Sequence, residues 1–107
     1  MAAPSVIHYR CTELIRFDIY DRLTGRPVST GTFTCFLKDK HGNVVENSTF
    51  TLLHMNDKPG TWRGVLSGAV TSTLQVGERY TFVLEGSTPI GNFYSETPVE
   101  VVIQRLE

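Results

Sequence analysis

The chain has 107 residues, with ten lysines and arginines against eleven aspartates and glutamates, so its formal charge is −1. A chain of this length can bury one ordinary core, and we expect a single domain over residues 1–107. The basic residues are scattered singly, which argues against nucleic-acid binding, because a surface that follows phosphates needs concentrated positive charge. The apolar runs fall far below the roughly twenty residues needed to span a bilayer, so no membrane segment is expected.

The amino-terminal segment PSVIHYRC carries Val6, Ile7 and Tyr9, and is too apolar for an idle tail. Residues 1–11 therefore have two interpretations. It forms either the first strand of the domain or an arm that adds to the sheet edge of a neighbouring subunit. The segment lacks the charged and apolar regions of a signal peptide, so a cytoplasmic location is expected unless a secretion signal has been removed.

Along the rest of the chain apolar residues recur with a period of two, and Gly, Pro, Asn and Asp fill the breaks, which predicts an all-β protein. The predicted strands in chain order are LIRFDIY, TFTCFLK, STFTLLHM, TWRGVLS, RYTFVLE and TPVEVVIQ. The side chains predicted to point inward from these strands are Ile15, Phe17, Ile19, Phe33, Cys35, Leu37, Tyr80, Phe82, Leu84, Val99, Val101 and Ile103. No long stretch carries a 3.6-residue period, so no helix is predicted.

Turn sequences separate these strands at DRLTGRP, DKHGN, NDKPG and QVGER. Each contains the Gly, Asn or Asp residues that tight connections need, and DKHGN and NDKPG are predicted to close hairpins. Strands at intervals of about eight to twelve residues are typical of an immunoglobulin-like antiparallel β-sandwich of about seven strands, which is the predicted fold class. A small barrel is the structural alternative.

The only tryptophan of the chain, Trp62, follows the turn NDKPG. Strand alternation puts it on the same face as Gly64 and Leu66, so Trp62 points inward if Leu66 does. A buried indole covers a large apolar area and needs one partner for its N–H group. We therefore predict that Trp62 anchors the core. The alternative is a ligand-stacking platform, which would need the nearby aromatic residues Phe93 and Tyr94.

The sequence offers no constellation for catalysis or for metal binding. The three histidines lack the short spacing of a zinc site. No nucleophile, base and orienting group can be assigned, so we predict no enzymatic activity, no cofactor and no metal. Cys35 alternates with Phe33 and Leu37 and is predicted to be a buried thiol. Whether Cys11 pairs with Cys35 stays open at this stage.

Three stretches carry a resemblance to a known family: DIYDRLTGRPVSTGTFTCFLKDKHGNVVE, PGTWRGVL and LQVGERYTFVLE. Together they resemble the small immunoglobulin-like domains of tailed-bacteriophage virion proteins, which share a TG-P-V turn, a DG-N-V-like hairpin and similar Trp/Tyr strands. The likeness covers roughly Leu14 to Ile103. The same turn and strand motifs also resemble those of transthyretin-like and carboxypeptidase-regulatory domains. Hydroxyisourate hydrolases in that group have a Tyr-Arg-Gly-Ser carboxyl end, whereas this chain ends IQRLE, so their activity is not expected.

The phage resemblance implies a structural protein of a virion, in the head, at the head–tail junction or in the tail, and in the host cytoplasm before assembly. Its partners would be other virion proteins or copies of itself, with no nucleic acid and no membrane. The candidate edge segments PSVIHYRC and NVVENSTF have few charges or prolines. The predicted interface residues are Val6, Ile7, Tyr9, Ile90, Phe93 and Tyr94.

The alternative function is a small carbohydrate- or peptide-binding module. In that interpretation EGSTPIGNFYSETP, from Glu85 to Pro98, is a loop that presents Phe93 and Tyr94 to the ligand. Self-association would favour the structural protein, whereas a monomer that binds a glycan would favour the module.

Overall fold

The computed structural model describes residues 5–103. It contains strands β1 Val6–His8, β2 Glu13–Asp18, β3 Thr32–Lys38, β4 Phe50–Thr51, β5 Leu53–His54, β6 Thr61–Leu66, β7 Arg79–Thr88 and β8 Gly91–Val102, and one helix, α1 Gly68–Thr71. The prediction of an all-β chain is confirmed. The prediction that no helix would form was wrong by a single turn, which Ser67 caps by accepting a hydrogen bond from the backbone N–H of Ala69 at 3.1 Å.

The strands form two sheets that enclose one core. The five-stranded sheet has the order β1-β8-β7-β3-β4, and the three-stranded sheet has the order β2-β6-β5. The sandwich is not wholly antiparallel, because β1 runs parallel to β8. PSVIHYRC supplies β1, at one edge of the five-stranded sheet, whereas NVVENSTF contributes only its last residue, Phe50, to the edge strand β4 and otherwise precedes it as a connection.

The predicted alternation of side chains is confirmed at nearly every inward position. The fully buried ones include Phe17 and Phe82, whose rings meet edge to face at 6.5 Å. The core comprises Ile7, Ile15, Phe17, Ile19, Val28, Phe33, Cys35, Leu37, Leu52, Trp62, Leu66, Val70, Leu74, Tyr80, Phe82, Leu84, Val99 and Val101. Ile103 was predicted to join them and does not, because it lies beyond the end of β8 and is 62% exposed.

Trp62 anchors the core as predicted, with 4% of its surface exposed. Its indole N–H donates to the carbonyl oxygen of Val28 at 2.8 Å. Its ring lies 4.7 Å from that of Phe33 and 5.1 Å from that of His54. The N–H group is therefore satisfied inside the core, which removes the cost of burying it.

Two predicted elements have different boundaries in the structure. STFTLLHM was predicted as one strand, but it forms β4 in one sheet and β5 in the other, and Leu52 is buried where the chain crosses between them. Glu85 to Pro98 was predicted as a loop, but it continues β7 and β8 as a paired hairpin up to Thr88 and Gly91. Cross-strand backbone bonds hold this segment, so it is not a free loop.

The segment before β2 is a strand of its own domain where the structure describes it. β1 pairs with Glu100, Val101 and Val102 of β8, and Ile7 is fully buried in the core. The side chain of His8 contributes to this arrangement, since its Nδ1 lies 2.6 Å from a carboxylate oxygen of Glu13 on β2. The part of the arm prediction that falls on residues 1–4 lies outside the described residues.

Candidate functional site: the hairpin end

The β7–β8 hairpin is longer than any strand of the opposite sheet. β7 has ten residues and β8 twelve, whereas β2 and β6 have six each. A two-residue turn, Pro89–Ile90, closes the hairpin between Thr88 and Gly91. Proline has a fixed negative φ, so this turn differs from the type I′ and II′ turns usual in two-residue hairpins, and Gly91, the residue after the turn, has a φ of 136°. The Thr88 hydroxyl donates to the Gly91 carbonyl at 2.9 Å.

The turn after β2 packs beside this hairpin. The Asp21 carboxylate shapes it by accepting hydrogen bonds from the backbone N–H of Leu23 and the hydroxyl of Thr24, both at 3.0 Å. Further along, the chain returns so close to the hairpin that a Cβ at Gly31 would lie 2.7 Å from the carbonyl oxygen of Ser87. The turn and the hairpin are thus built as one end of the sandwich.

Two clefts open on this end, on either side of the turn. The larger, of about 430 Å³, has Ile19 and Leu84 among its apolar lining residues and Tyr20, Arg22 and Tyr94 among its polar ones. The second, of about 340 Å³, lies between the turn and the hairpin tip and is lined in part by Pro27, Pro89 and Ile90. Both volumes lie at the lower end of the range for small-ligand pockets.

Four large side chains project from this end into solvent: Tyr20, Leu23, Ile90 and Tyr94, which we call the hairpin end. Leu23 is 95% exposed and Ile90 67%. Neither contributes to the core, although the fold places each on a tightly bonded turn. The arrangement offers protruding apolar contacts on a rigid support, which suits recognition of another surface.

A metal site needs several His, Cys, Asp or Glu side chains close together. Within residues 5–103 no group of three or more of these residues is placed to hold a metal ion. Burial raises the pKa of Cys35 to about 12. Hydrogen bonds from the backbone N–H groups of Asn43 and His41 lower the pKa of Asp39, which lies in an exposed hairpin turn. Neither residue lies at the hairpin end.

No helix in the described residues has the length and apolar character that crossing a membrane requires.

The structure divides the predicted interface residues among three environments. Ile90 and Tyr94 are exposed at the hairpin end, Tyr94 by 58%. Phe93 points the other way, into the core, where its ring lies 5.9 Å from that of Phe33. Ile7 is fully buried within its own chain and is therefore not accessible to a partner, which corrects its place in the predicted interface.

The other two predicted residues, Val6 and Tyr9, lie at the β1 edge. Val6 is 40% exposed, and the Tyr9 ring is half buried with the guanidinium of Arg10 at 5.3 Å from its centroid. β1 pairs with Glu100 to Val102 at the far end of β8. About 20 Å of extended strand separates that part of β8 from Tyr94, so the predicted residues do not form one site.

Sequence reasoning did not identify Tyr20 and Leu23 as part of this surface. The one available signal was an apolar residue inside the turn DRLTG, since Leu23 has no core to join there. Their proximity to the hairpin depends on a contact between segments more than sixty residues apart, which local patterns do not contain. No family model, no curated protein and no solved structure matches the chain.

Proposed function

We propose that this protein is a non-enzymatic structural component of a bacteriophage virion that acts through protein–protein assembly. The observation that carries the proposal is the hairpin end, where four large side chains project from a well-braced part of the fold. In this role the protein needs neither a cofactor nor a metal. Its partners are neighbouring virion proteins or further copies of itself, and its place is in the head, at the head–tail junction or in the tail.

We also infer that the sandwich is immunoglobulin-like, and the strand order supports this. In immunoglobulin constant domains strands A, B, E and D form one sheet and C, F and G the other, and variable domains extend the second sheet with C′. Matched in chain order, β2, β6 and β5 correspond to B, E and D, and β8, β7, β3 and β4 correspond to G, F, C and C′. The first strand departs from the constant-domain pattern, because β1 pairs with β8 and not with β2.

The exposure pattern supports assembly through the hairpin end. Apolar side chains scattered singly are normal on a protein surface, but here Leu23 and Ile90 project from adjoining turns beside Tyr20 and Tyr94. Aromatic residues are enriched at interfaces because they bring large apolar area with few rotatable bonds. Covering the hairpin end with another protein would remove this area from water.

Particle incorporation tests the proposal. The chain is co-expressed with its neighbouring genes, particles are purified on a density gradient, and the chain in them is quantified by mass spectrometry. We expect the wild-type chain in the particles and a Tyr94→Ser/Ile90→Ser variant strongly depleted from them. Val76→Ser is the matched control, because Val76 is a 46% exposed apolar residue in the turn before β7, at the opposite end of that strand.

Two results would contradict the proposal in different ways. Absence of the wild-type chain from every particle fraction would exclude the virion role. Equal incorporation of the Tyr94→Ser/Ile90→Ser variant would exclude the hairpin end as the interface.

The larger cleft favours a second candidate function, recognition of a carbohydrate or peptide. Tyr20 and Tyr94 both line it, with Arg22 and Asn92 as hydrogen-bonding groups. Aromatic faces with adjoining polar groups are suited to binding such ligands. A monomer that binds a glycan array through these residues, and that never enters particles, would favour this function over assembly.

A further inference from the structure

The two outer faces of the sandwich differ in charge. Outward-pointing residues of β2, β6 and β5 form what we call the arginine face: Leu14, Arg16, Leu53, Arg63 and Val65. Outward-pointing residues of β3, β7 and β8 form what we call the acidic face: Phe36, Val83, Glu85, Tyr94 and Glu96. Each face also carries some opposite charge, because Asp18 follows Arg16 on the outward side of β2, and Lys38 and Arg79 lie on the outward side of β3 and β7.

On the arginine face two cations lie side by side. Arg16 and Arg63 are directly opposite each other on neighbouring antiparallel strands, where like charges are destabilising. Arg16 has an exposed ion pair with Asp18 at 3.3 Å, which neutralises it weakly. Arg63 forms no ion pair with any residue in the described range. This arrangement has an electrostatic cost that an incoming anion would relieve.

Exposed apolar side chains surround these arginines. Leu14 is 75% exposed, Leu53 68% and Val65 53%. Leu14 lies opposite Val65, and Leu53 lies opposite Arg63. A sheet face that looks into water usually carries polar side chains at such positions. The partner of this face is therefore expected to carry both apolar groups and carboxylates.

The acidic face of the same chain offers carboxylates and two accessible aromatic rings, those of Tyr94, which is 58% exposed, and Phe36, which is partly buried. Glu85 on β7 and Glu96 on β8 are diagonal neighbours across the pair, with Val83 opposite Glu96 and Tyr94 opposite Glu85. Both glutamates are exposed, and neither forms an ion pair within residues 5–103. Diagonal neighbours of this kind are about 7–8 Å apart, a spacing that two adjacent guanidinium groups can meet.

The apolar part of the acidic face lies on the outside of the sheet. Val83 points away from the opposite sheet and lies beside Phe36, but it is fully buried, so it supports this face without being accessible to a partner. At the other end of β7, Arg79 is opposite Glu100, so that row is electrically balanced. Lys38 lies two residues beyond Phe36 on β3, opposite Thr81, and adds a positive charge to the same face. Within residues 5–103 the unpaired negative charges of this face are Glu85 and Glu96, and the unpaired positive charge of Lys38 lies towards its other end.

We propose that the arginine face of one copy docks on the acidic face of the next, so that copies of this chain stack head to tail. This inference rests on the proposed function, because it names a second copy as the partner in assembly. Charge disfavours the two symmetric alternatives, because arginine face on arginine face would bring Arg16 and Arg63 of two copies together, and acidic face on acidic face would bring together Glu85 and Glu96. A contact between unlike faces leaves one of each free, so it continues as a ring or an open stack.

The shape of the molecule suits such stacking. Its principal extents are 39 × 33 × 20 Å, and the shortest of them is close to the thickness expected of two packed sheets with their side chains. Packed sheets are about 10 Å apart, so a stack in which sheets meet face to face would repeat about every 20 Å. A face of three short strands buries an area at the low end of specific interfaces, so each contact is weak and the stack depends on concentration.

Charge reversal at the central strand of each sheet tests the proposal. Sedimentation velocity of the purified chain at low and high salt measures self-association, and circular dichroism confirms that each variant is folded. We expect the wild type to associate at high concentration and to dissociate as salt rises. Arg63→Glu and Glu85→Lys should each weaken association by at least about tenfold, because either change opposes like charges.

The mixture of the two variants is the decisive sample. Arg63→Glu keeps an intact acidic face and Glu85→Lys an intact arginine face, so an equimolar mixture should regain association that neither has alone. The matched controls are Lys58→Glu, in the turn before β6, and Glu46→Lys, between β3 and β4. Both residues are exposed and lie off the two faces, so these variants should associate like the wild type.

Several outcomes would overturn head-to-tail stacking. A wild type that is monomeric at every concentration and salt would do so, as would a mixture that stays monomeric or association that survives in Arg63→Glu alone. A monomer that still enters particles would leave the proposed function standing without the stacking. A stack that never enters particles would leave the stacking standing without the virion role.

Discussion

Replacing Trp62 tests the central physical argument for this fold. Trp62→Ala would remove a side chain that is 4% exposed, together with its contacts to the rings of Phe33 and His54. Truncations of buried aromatic residues to alanine cost about 3–5 kcal/mol. The carbonyl oxygen of Val28, itself 6% exposed, would also lose its indole donor. An unpaired buried acceptor costs about 1–3 kcal/mol, so we expect the loss to lie at the upper end of the first range.

A loss of this size is a large share of the roughly 5–15 kcal/mol that holds a domain together, so a milder variant is measured beside Trp62→Ala. Trp62→Phe is the graded variant, because it keeps an aromatic ring near Phe33 and removes the N–H donor. We expect it to cost about 1–3 kcal/mol, from the lost hydrogen bond and the smaller ring.

Urea unfolding followed by far-ultraviolet circular dichroism measures these losses without relying on the fluorescence of Trp62 itself. A loss of about 2 kcal/mol lowers the midpoint by about 1 M when the slope is about 2 kcal/mol per M. Tyr20→Phe is the surface control, since Tyr20 is 48% exposed. A change of about 1 kcal/mol shifts the melting temperature of such a domain by about 4 °C. If the melting temperature of Trp62→Ala lay within that range of the wild type, Trp62 would not be an anchor of the core.

Two further predictions concern the core. Gly86→Ala should destabilise the fold by about 1–3 kcal/mol, because a Cβ there would lie 2.3 Å from the buried ring of Phe33. Thermal melting measures this loss of stability. If the losses of Gly86→Ala and Phe33→Leu simply added in the double variant, the clash between the two side chains would be contradicted. Burial raises the pKa of the Cys35 thiol from its ordinary value of 9.0 to about 12. As the pH rises above 9.0, the unfolded chain releases the thiol proton while the folded chain retains it, so the free energy of unfolding should fall. Urea unfolding between those pH values should show a shallower decline for Cys35→Val than for the wild type, and equal slopes would refute the assignment.

The candidate site was predictable only in part. Ile90 and Tyr94 could be identified because a Pro-Ile-Gly turn next to aromatic residues has no core of its own to fill. Phe93 and Ile7 could not be assigned correctly. Phe93 lies within a hairpin that sequence reasoning interpreted as a loop, and Ile7 is buried by pairing with the last strand. The charges of the two outer faces were visible, but their grouping depends on which strands are neighbours.

What the sequence by itself determined is the phase of each strand. Phe17, Phe33 and Phe82 are buried because a period of two puts every second side chain on one face, and that alternation is a property of neighbouring residues. The positions of the tight turns follow for the same reason, since Gly and Asp act through their own backbone and its immediate neighbours.

Tertiary structure alone decided which strands pair and where the chain changes sheets. STFTLLHM alternates as one strand, yet at Leu52 the chain leaves the five-stranded sheet and enters the three-stranded one. The pairing of β1 with β8 joins segments about ninety residues apart. Such contacts form because they bury both sheets against one core, and their free energy depends on the whole fold and not on any local pattern.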